Sequence, residues 1–107
     1  MTYAVQYQLA AATDIQNIID WFSANDLGHL PEPFLRRISA IEVHLRRNPL
    51  IYPKIKHDIR GVHLSPFRQS LYFRVVESTV LVLACQHHSR SPRTIDRMLE
   101  ERKELPP

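Results

Sequence analysis

Hydrophobic and polar positions change period several times along the chain, and each change marks an element. Tyr3, Val5 and Tyr7 alternate with Ala4, Gln6 and Gln8, the period of two that predicts a half-buried strand over 3–8. From Ala11 the spacing turns helical: Ala11, Ile15, Ile18, Ile19 and Phe22 share one face, while Asp14, Asn17 and Asp20 point elsewhere. Asn25 to Pro31, with Gly28, ends this helix. Pro31 and Pro33 suit the first turn of a second helix, whose leading N–H groups have no partner inside the helix in any case. Phe34, Ile38, Ile41 and Leu45 form its apolar stripe, with Arg36 and Arg47 on the opposite side. Asn48-Pro49 stops it, because proline disfavours helix at the residue before it and cannot donate a hydrogen bond of its own.

Residues 49–58 read as a basic connecting loop carrying Lys54, Lys56 and His57. Strands are predicted over 59–64, 69–76 and 79–86, the last two joined by the polar break Glu77-Ser78 as an antiparallel hairpin. The final strand is apolar on both faces, which places it at the centre of the sheet. Gly61 within a strand predicts a bulge or a close backbone approach. Tyr72 and Phe73, as strand neighbours, must face opposite sides. Ser91-Pro92 then opens a last helix with a capping serine and a proline at the first position, and Ile95, Met98 and Leu99 give it an apolar face. The predicted order is β-α-α-β-β-β-α: an α+β fold, one domain over 1–107, in which a helical hairpin packs on a mainly antiparallel sheet of about four strands.

Charge divides the chain where hydropathy does not. Residues 1–35 hold Asp14, Asp20, Asp26 and Glu32 and no Lys or Arg, whereas 36–107 hold all 14 basic residues against the other seven acidic ones, so the front carries −4 and the rest +7. Such a basic surface attracts nucleic acid or an acidic protein segment. The single cysteine, Cys85, lies inside the apolar run 80–85 and reads as a buried, inert side chain. No apolar run approaches a membrane span and no basic-then-apolar leader is present, so the expected compartment is the cytoplasm. His57, His63, His87, His88 and Cys85 lack the pair spacings of a zinc site, and no glycine-rich phosphate loop, nucleophile motif or paired carboxylates appear; neither metal nor cofactor is expected.

The densest motif is Ile59-Arg60-Gly61-Val62-His63-Leu64-Ser65-Pro66-Phe67-Arg68-Gln69-Ser70-Leu71-Tyr72-Phe73-Arg74-Val75, followed after an apolar strand by His87-His88-Ser89-Arg90-Ser91-Pro92. In spacing it resembles, without a gap, a pattern of the RelE/ParE superfamily of toxins, I-R-x-x-x-L-x-x-F-P-Y-x-[VIL]-Y-[YF]-R-V and then H-x-x-R-x-P. Weaker resemblances lie upstream, in Ala11 to Ile15 and in Leu45 to Pro49. Arg68-Gln69 stands where the family has Pro-Tyr after the phenylalanine. The His-x-x-Arg ending and the long helical hairpin are closest to the ParE-like branch.

What the resemblance implies is the toxin of a bacterial type II toxin–antitoxin system, tied to plasmid stabilisation and growth arrest, silenced by a cognate antitoxin from an adjacent gene, in complexes up to a heterotetramer. ParE-like members bind DNA gyrase and need no catalytic residue; Arg68, Arg90, Arg93 and Arg97 are then the target-binding candidates. RelE-like members cleave messenger RNA on the ribosome without metal, which requires a proton carrier and cations for the phosphate. Lys54, Lys56, Arg60, Arg68 and Arg90, with His87 or His88 as the proton carrier, are the candidates under that alternative. A relative that keeps the fold but is not toxic is the third reading. His87 has a local alternative, orienting its loop by hydrogen bonding, and Arg93 with Arg97 a bland one, a solvent-facing pair one helical turn apart.

Overall fold

A computed structural model describes residues 2–105. β1 (Ala4–Tyr7) leads into α1 (Leu9–Ala24) and α2 (Pro31–Arg47), which form the expected hairpin. A short 3-10 turn (Pro49–Ile51) then precedes β2 (Lys54–Lys56), β3 (Ile59–His63), β4 (Gln69–Val76), β5 (Thr79–His87) and α3 (Pro92–Arg102). The sheet has five strands in the order β1-β5-β4-β3-β2; β1 runs parallel to β5, and all other neighbours are antiparallel.

The basic loop expected over 49–58 is therefore partly a strand. Lys54 pairs with Arg60 and Lys56 with Ile59, with a register shift between them, so β2 is too short and too irregular to show an alternation. Its hairpin turns at His57 with φ 52°, and the β4–β5 hairpin at Glu77 with φ 56°, in place of the glycine or asparagine that usually marks such turns.

Each face of the sheet has its own apolar core. Phe34, Ile38, Ile41 and Leu45 of α2, with Ala11 and Phe22 of α1, pack on Leu71, Phe73, Val80, Val82 and Cys85. On the other side Leu99 of α3 packs with Ile59, Tyr72, Leu81, Leu83 and Ala84. Tyr72 and Phe73 accordingly enter opposite cores, and β5 lies inside the sheet, as its two-sided apolarity predicts.

Two neighbours, Leu83 and Ala84, face the same core because β5 bulges there: Tyr72 pairs with Ala84 but Phe73 with Val82, leaving Leu83 as the extra residue. This bulge resets the alternation, so Cys85 returns to the helical-hairpin side. Gly61 is neither a bulge nor a close backbone approach: β3 keeps its register with β4 there, and a Cβ would sit in ordinary van der Waals contact, 3.5 Å from the Tyr72 ring and 3.6 Å from Ile55.

Ser91 caps α3 as the sequence predicts, its hydroxyl accepting from the Thr94 N–H at 3.2 Å. The C-terminal end of α3 is tied back across the sheet edge. Arg102 pairs with Asp14 of α1 at 2.6 Å, both side chains being largely buried. The guanidinium also donates to the Leu83 carbonyl at 3.0 Å, while Asp14 accepts from the Cys85 N–H at 3.0 Å and the Gln86 amide at 2.9 Å. Asp14 thus corrects the expectation that it points away from the packed face: with Arg102 it satisfies the edge of β5 beyond the end of β1. Among the described residues no helix is long and apolar enough to cross a membrane.

Candidate functional site

The C-terminal end of β5 and the loop 88–91 separate two surfaces. On the hairpin side a cleft of about 690 Å³ is lined by Ile18, Trp21 and Phe22 of α1, by Phe67, Arg68 and Gln69 at the start of β4, and by His87 and Arg90. Its floor is apolar because α1 places Ile18, Trp21 and Phe22 one turn apart on one face, and because Phe67 stacks edge-on against Phe34, ring centres 5.2 Å apart. Trp21 is 57% exposed, a large indole left uncovered. Arg68 and Arg90 stand exposed at the rim.

The opposite side carries a histidine cluster. Ser70 of β4 lies directly across from His63 of β3, and the Ser70 Oγ is 2.8 Å from both His63 Nδ1 and His88 Nε2. The two imidazole nitrogens are 3.1 Å apart. Partial burial, reinforced by His63, His87 and Arg68, pulls the His88 pKa below the ordinary imidazole value, so His88 is neutral near pH 7. Tyr72 lies on the same face, two residues from Ser70; burial pushes its phenol up, against the Ser70 hydroxyl, which lowers it.

The candidates from the sequence are dispersed by this geometry. Arg60 donates to the backbone carbonyls of Leu50 at 3.2 Å and Tyr52 at 2.6 Å, clamping the 3-10 turn to β3. Lys56 lies 4.0 Å from Glu100 of α3, whose carboxyl is also approached by His57 at 3.3 Å and Lys103 at 3.1 Å. The Lys103 hydrogen bond holds that carboxyl below the usual range. Lys54 is exposed on edge strand β2. The His87 Nδ1 accepts from the Ser89 N–H at 2.9 Å and lies 2.8 Å from the Ser89 hydroxyl, so His87 orders its loop. Arg68 and Arg90 do meet, at the cleft. Arg93 and Arg97 project into solvent along α3.

In the sequence His63 stands out only among the residues weighed for zinc, and Ser70 does not stand out as a site residue. Their signal lies in pairing register: seven residues apart along the chain, they become cross-strand partners only once β3 and β4 are aligned. Cys85 is buried as expected, and burial with Asp14 nearby pushes its thiol up to about 12, which keeps it unreactive. Among the described residues no group of three or more His, Cys, Asp or Glu is arranged to hold a metal ion.

Two solved structures share the fold. A chain of a chromosomal ParDE toxin–antitoxin system from P. aeruginosa superposes with a TM-score of 0.70 at 17% identity, covering 80% of this chain and 96% of that one. The E. coli toxin RelE, in its free state and carrying two arginine-to-alanine substitutions, superposes with a TM-score of 0.67 at 14% identity, covering 98% of this chain and all of that one, 100%. The chain has the RelE/ParE fold, three helices on a five-stranded mixed sheet. No protein-family model and no curated protein sequence matches it.

Proposed function

We propose that this chain is the toxin of a type II toxin–antitoxin pair, working in the cytoplasm by binding its target, DNA gyrase, rather than by cutting RNA. The observation that carries the preference for binding is where the basic groups go. Arg60, Lys56 and His87 are engaged in contacts within the fold, whereas Arg68, Arg90, Arg93 and Arg97 remain exposed around the loop 88–91 and the start of α3. Exposed guanidiniums beside an uncovered tryptophan suit a protein interface, where arginine and tryptophan carry a disproportionate share of affinity. The fold held in common with proteins of the ParDE and RelE systems supports the toxin reading, and with it an antitoxin partner encoded next to this gene.

Inducing the chain in a bacterial host tests this. Growth arrest relieved by co-expressing the neighbouring gene's product, with loss of plasmid supercoiling and intact messenger RNA, is the expected result. Unimpeded growth at high expression would leave a non-toxic relative of the same fold.

The second reading, a ribosome-dependent messenger RNA interferase, is favoured by one observation, the cluster of His63, Ser70 and His88. A neutral imidazole beside a second one is a set able to accept and return a proton, and Arg68 lies near enough to lower the His88 pKa. Messenger cleavage that disappears in His63→Ala and His88→Ala, with supercoiling unaffected, would replace gyrase by RNA.

A further inference from the structure

Three donor atoms, carried by three neighbouring strands, converge on one point of the sheet. His63 ends β3, Ser70 lies directly across from it in β4, and His88 follows the last residue of β5. Backbone hydrogen bonds hold all three. The Leu64 N–H donates to the Gln69 carbonyl at 2.9 Å beside the first two, and the His88 N–H donates to the Arg68 carbonyl at 2.8 Å. A metal ion is bound best when such a frame orders its ligands before it arrives.

Hydrogen bonding alone does not close this triangle. The Ser70 Oγ lies 2.8 Å from His63 Nδ1 and from His88 Nε2, and the two nitrogens are 3.1 Å apart. A nitrogen of an imidazole ring either donates or accepts, so at most two protons serve the three contacts. The rings cross at 83° with their centres 4.8 Å apart. A straight N–H···N bond between nitrogens so spaced would hold the ring centres about 5.4 Å apart. Two imidazoles that share an ion at about 2.0 to 2.1 Å would hold them about 4.8 to 4.9 Å apart. The observed spacing is the second. At that bond length the nitrogen separation also falls between the roughly 2.9 Å of ligands at a right angle and the roughly 3.4 Å of tetrahedral ones.

The donors select the ion. Imidazole suits zinc and its late first-row neighbours, whereas magnesium and calcium take oxygen ligands. Ser70 is 2% exposed while both imidazoles face solvent, so an ion has a way in and keeps open positions for water. Ser70 is 7 residues from His63 and 18 from His88, so no local spacing announces the set. A hydroxyl stands where a third histidine, cysteine or carboxylate is the commoner ligand.

We infer that His63 Nδ1 and His88 Nε2, with the Ser70 hydroxyl as a weaker third donor, bind one divalent ion of the zinc class, which ties the loop 88–91 to β3 and β4. The inference goes beyond the toxin reading and does not depend on it. An ion here takes the lone pairs that proton transfer would use, so it silences the histidine chemistry of the RNA-cutting reading rather than assisting it. Arg68, whose charge acts on His88, opposes the ion.

The test titrates zinc chloride into the untagged full chain labelled with ¹⁵N. The expected result is saturation at one ion per chain, with shifts of the His63 Nδ1 and His88 Nε2 resonances. The thermal unfolding midpoint should rise as well, because an ion bound only by the folded chain stabilises it. His63→Ala and His88→Ala should each weaken binding by about tenfold or more and remove the rise, and Ser70→Ala should weaken it less. Arg68→Ala should tighten it. His63→Cys should restore binding and give cobalt(II) a thiolate charge-transfer band that His63→Gln lacks. The inference is overturned if zinc fails to saturate at one equivalent, if the shifts fall on His29, His44 or His57 instead, if both alanine variants bind zinc as the parent does, or if magnesium chloride serves as well. The nitrogen shifts are read in the parent chain, so a variant that failed to fold would not shield the inference. Toxicity is read in growing cells, so zinc binding by a harmless chain would sink the toxin reading alone. A toxic chain indifferent to zinc would sink this inference alone.

Discussion

The sheet's two faces diverge most where β5 ends. On the hairpin side the groups are unsatisfied: an exposed indole, two guanidiniums at a rim and the orphan amide oxygen of buried Gln69. On the other side they face one another, with His63, Ser70 and His88 closed into a triangle of contacts of 2.8 to 3.1 Å. Unsatisfied groups around an apolar floor have affinity to offer a partner, whereas a closed polar cluster offers proton transfer or rigidity. The comparison separates binding from chemistry by position, so substitutions on one face can be read apart from the other, Arg68 excepted, because it lines the cleft and also lowers the His88 pKa.

If the chain is the toxin proposed above, the largest expected effect is on toxicity. Arg90→Ala removes an exposed charge from the cleft rim and should cost about 2 to 4 kcal/mol of target affinity, roughly 30-fold or more, if Arg90 anchors the target. In a growth assay under a titratable promoter that variant should no longer arrest cells, while His88→Ala, on the other face, should arrest them as the parent does. Arrest that survives Arg90→Ala in a soluble protein but vanishes in His88→Ala would reverse the assignment of the faces. Arg93→Ala with Arg97→Ala, further along α3, measures how far the target surface extends from the cleft.

Next in size is the ion pair that fixes the cleft's inner wall. Asp14→Ala would leave the Arg102 guanidinium largely buried without its counter-charge and orphan the Cys85 N–H and the Gln86 amide, a loss of about 3 to 5 kcal/mol. Urea unfolding should show a lower midpoint with an unchanged slope. Arg102→Ala should act in the same direction, and the double variant should cost less than the two single losses together, because neither charge is then stranded. Additive losses would mean that the two side chains stabilise the fold through separate contacts.

Most of the fold was legible in the sequence because it is written in periods. The stripe Phe34, Ile38, Ile41, Leu45 is buried in full, β5 is an interior strand as its two-sided apolarity requires, although β4 and not β5 is the middle one, and Ser91 caps where it should. The missing strand, β2, has three residues, a register shift and a turn at His57, so neither alternation nor turn chemistry marked it. The site was legible only at its rim. Arg68 and Arg90 could be picked out by type and motif, but the histidine cluster and the Asp14–Arg102 pair join residues 7 to 88 positions apart. Such contacts depend on strand register and on the bulge at Leu83, which local pattern does not encode.

The smallest expected effect distinguishes the histidine face by its response to pH. Burial first, and then His63, His87 and Arg68, hold the folded His88 pKa below its ordinary value of 6.5. The folded chain therefore binds fewer protons than the unfolded chain once the pH falls toward and below that value, and stability must decline in the same window. Unfolding midpoints should thus be level above neutrality and drop as the pH is lowered through 6.5 toward the folded pKa. His88→Gln should flatten the drop, and His63→Gln should flatten it in part by removing one of the charges that oppose His88. Arg90→Ala should leave the profile as it is, since Arg90, unlike Arg68 at the same rim, takes no part in that opposition. A pH profile unchanged in His88→Gln would place the sensitivity on another titrating group and remove the case for a coupled imidazole pair on this face.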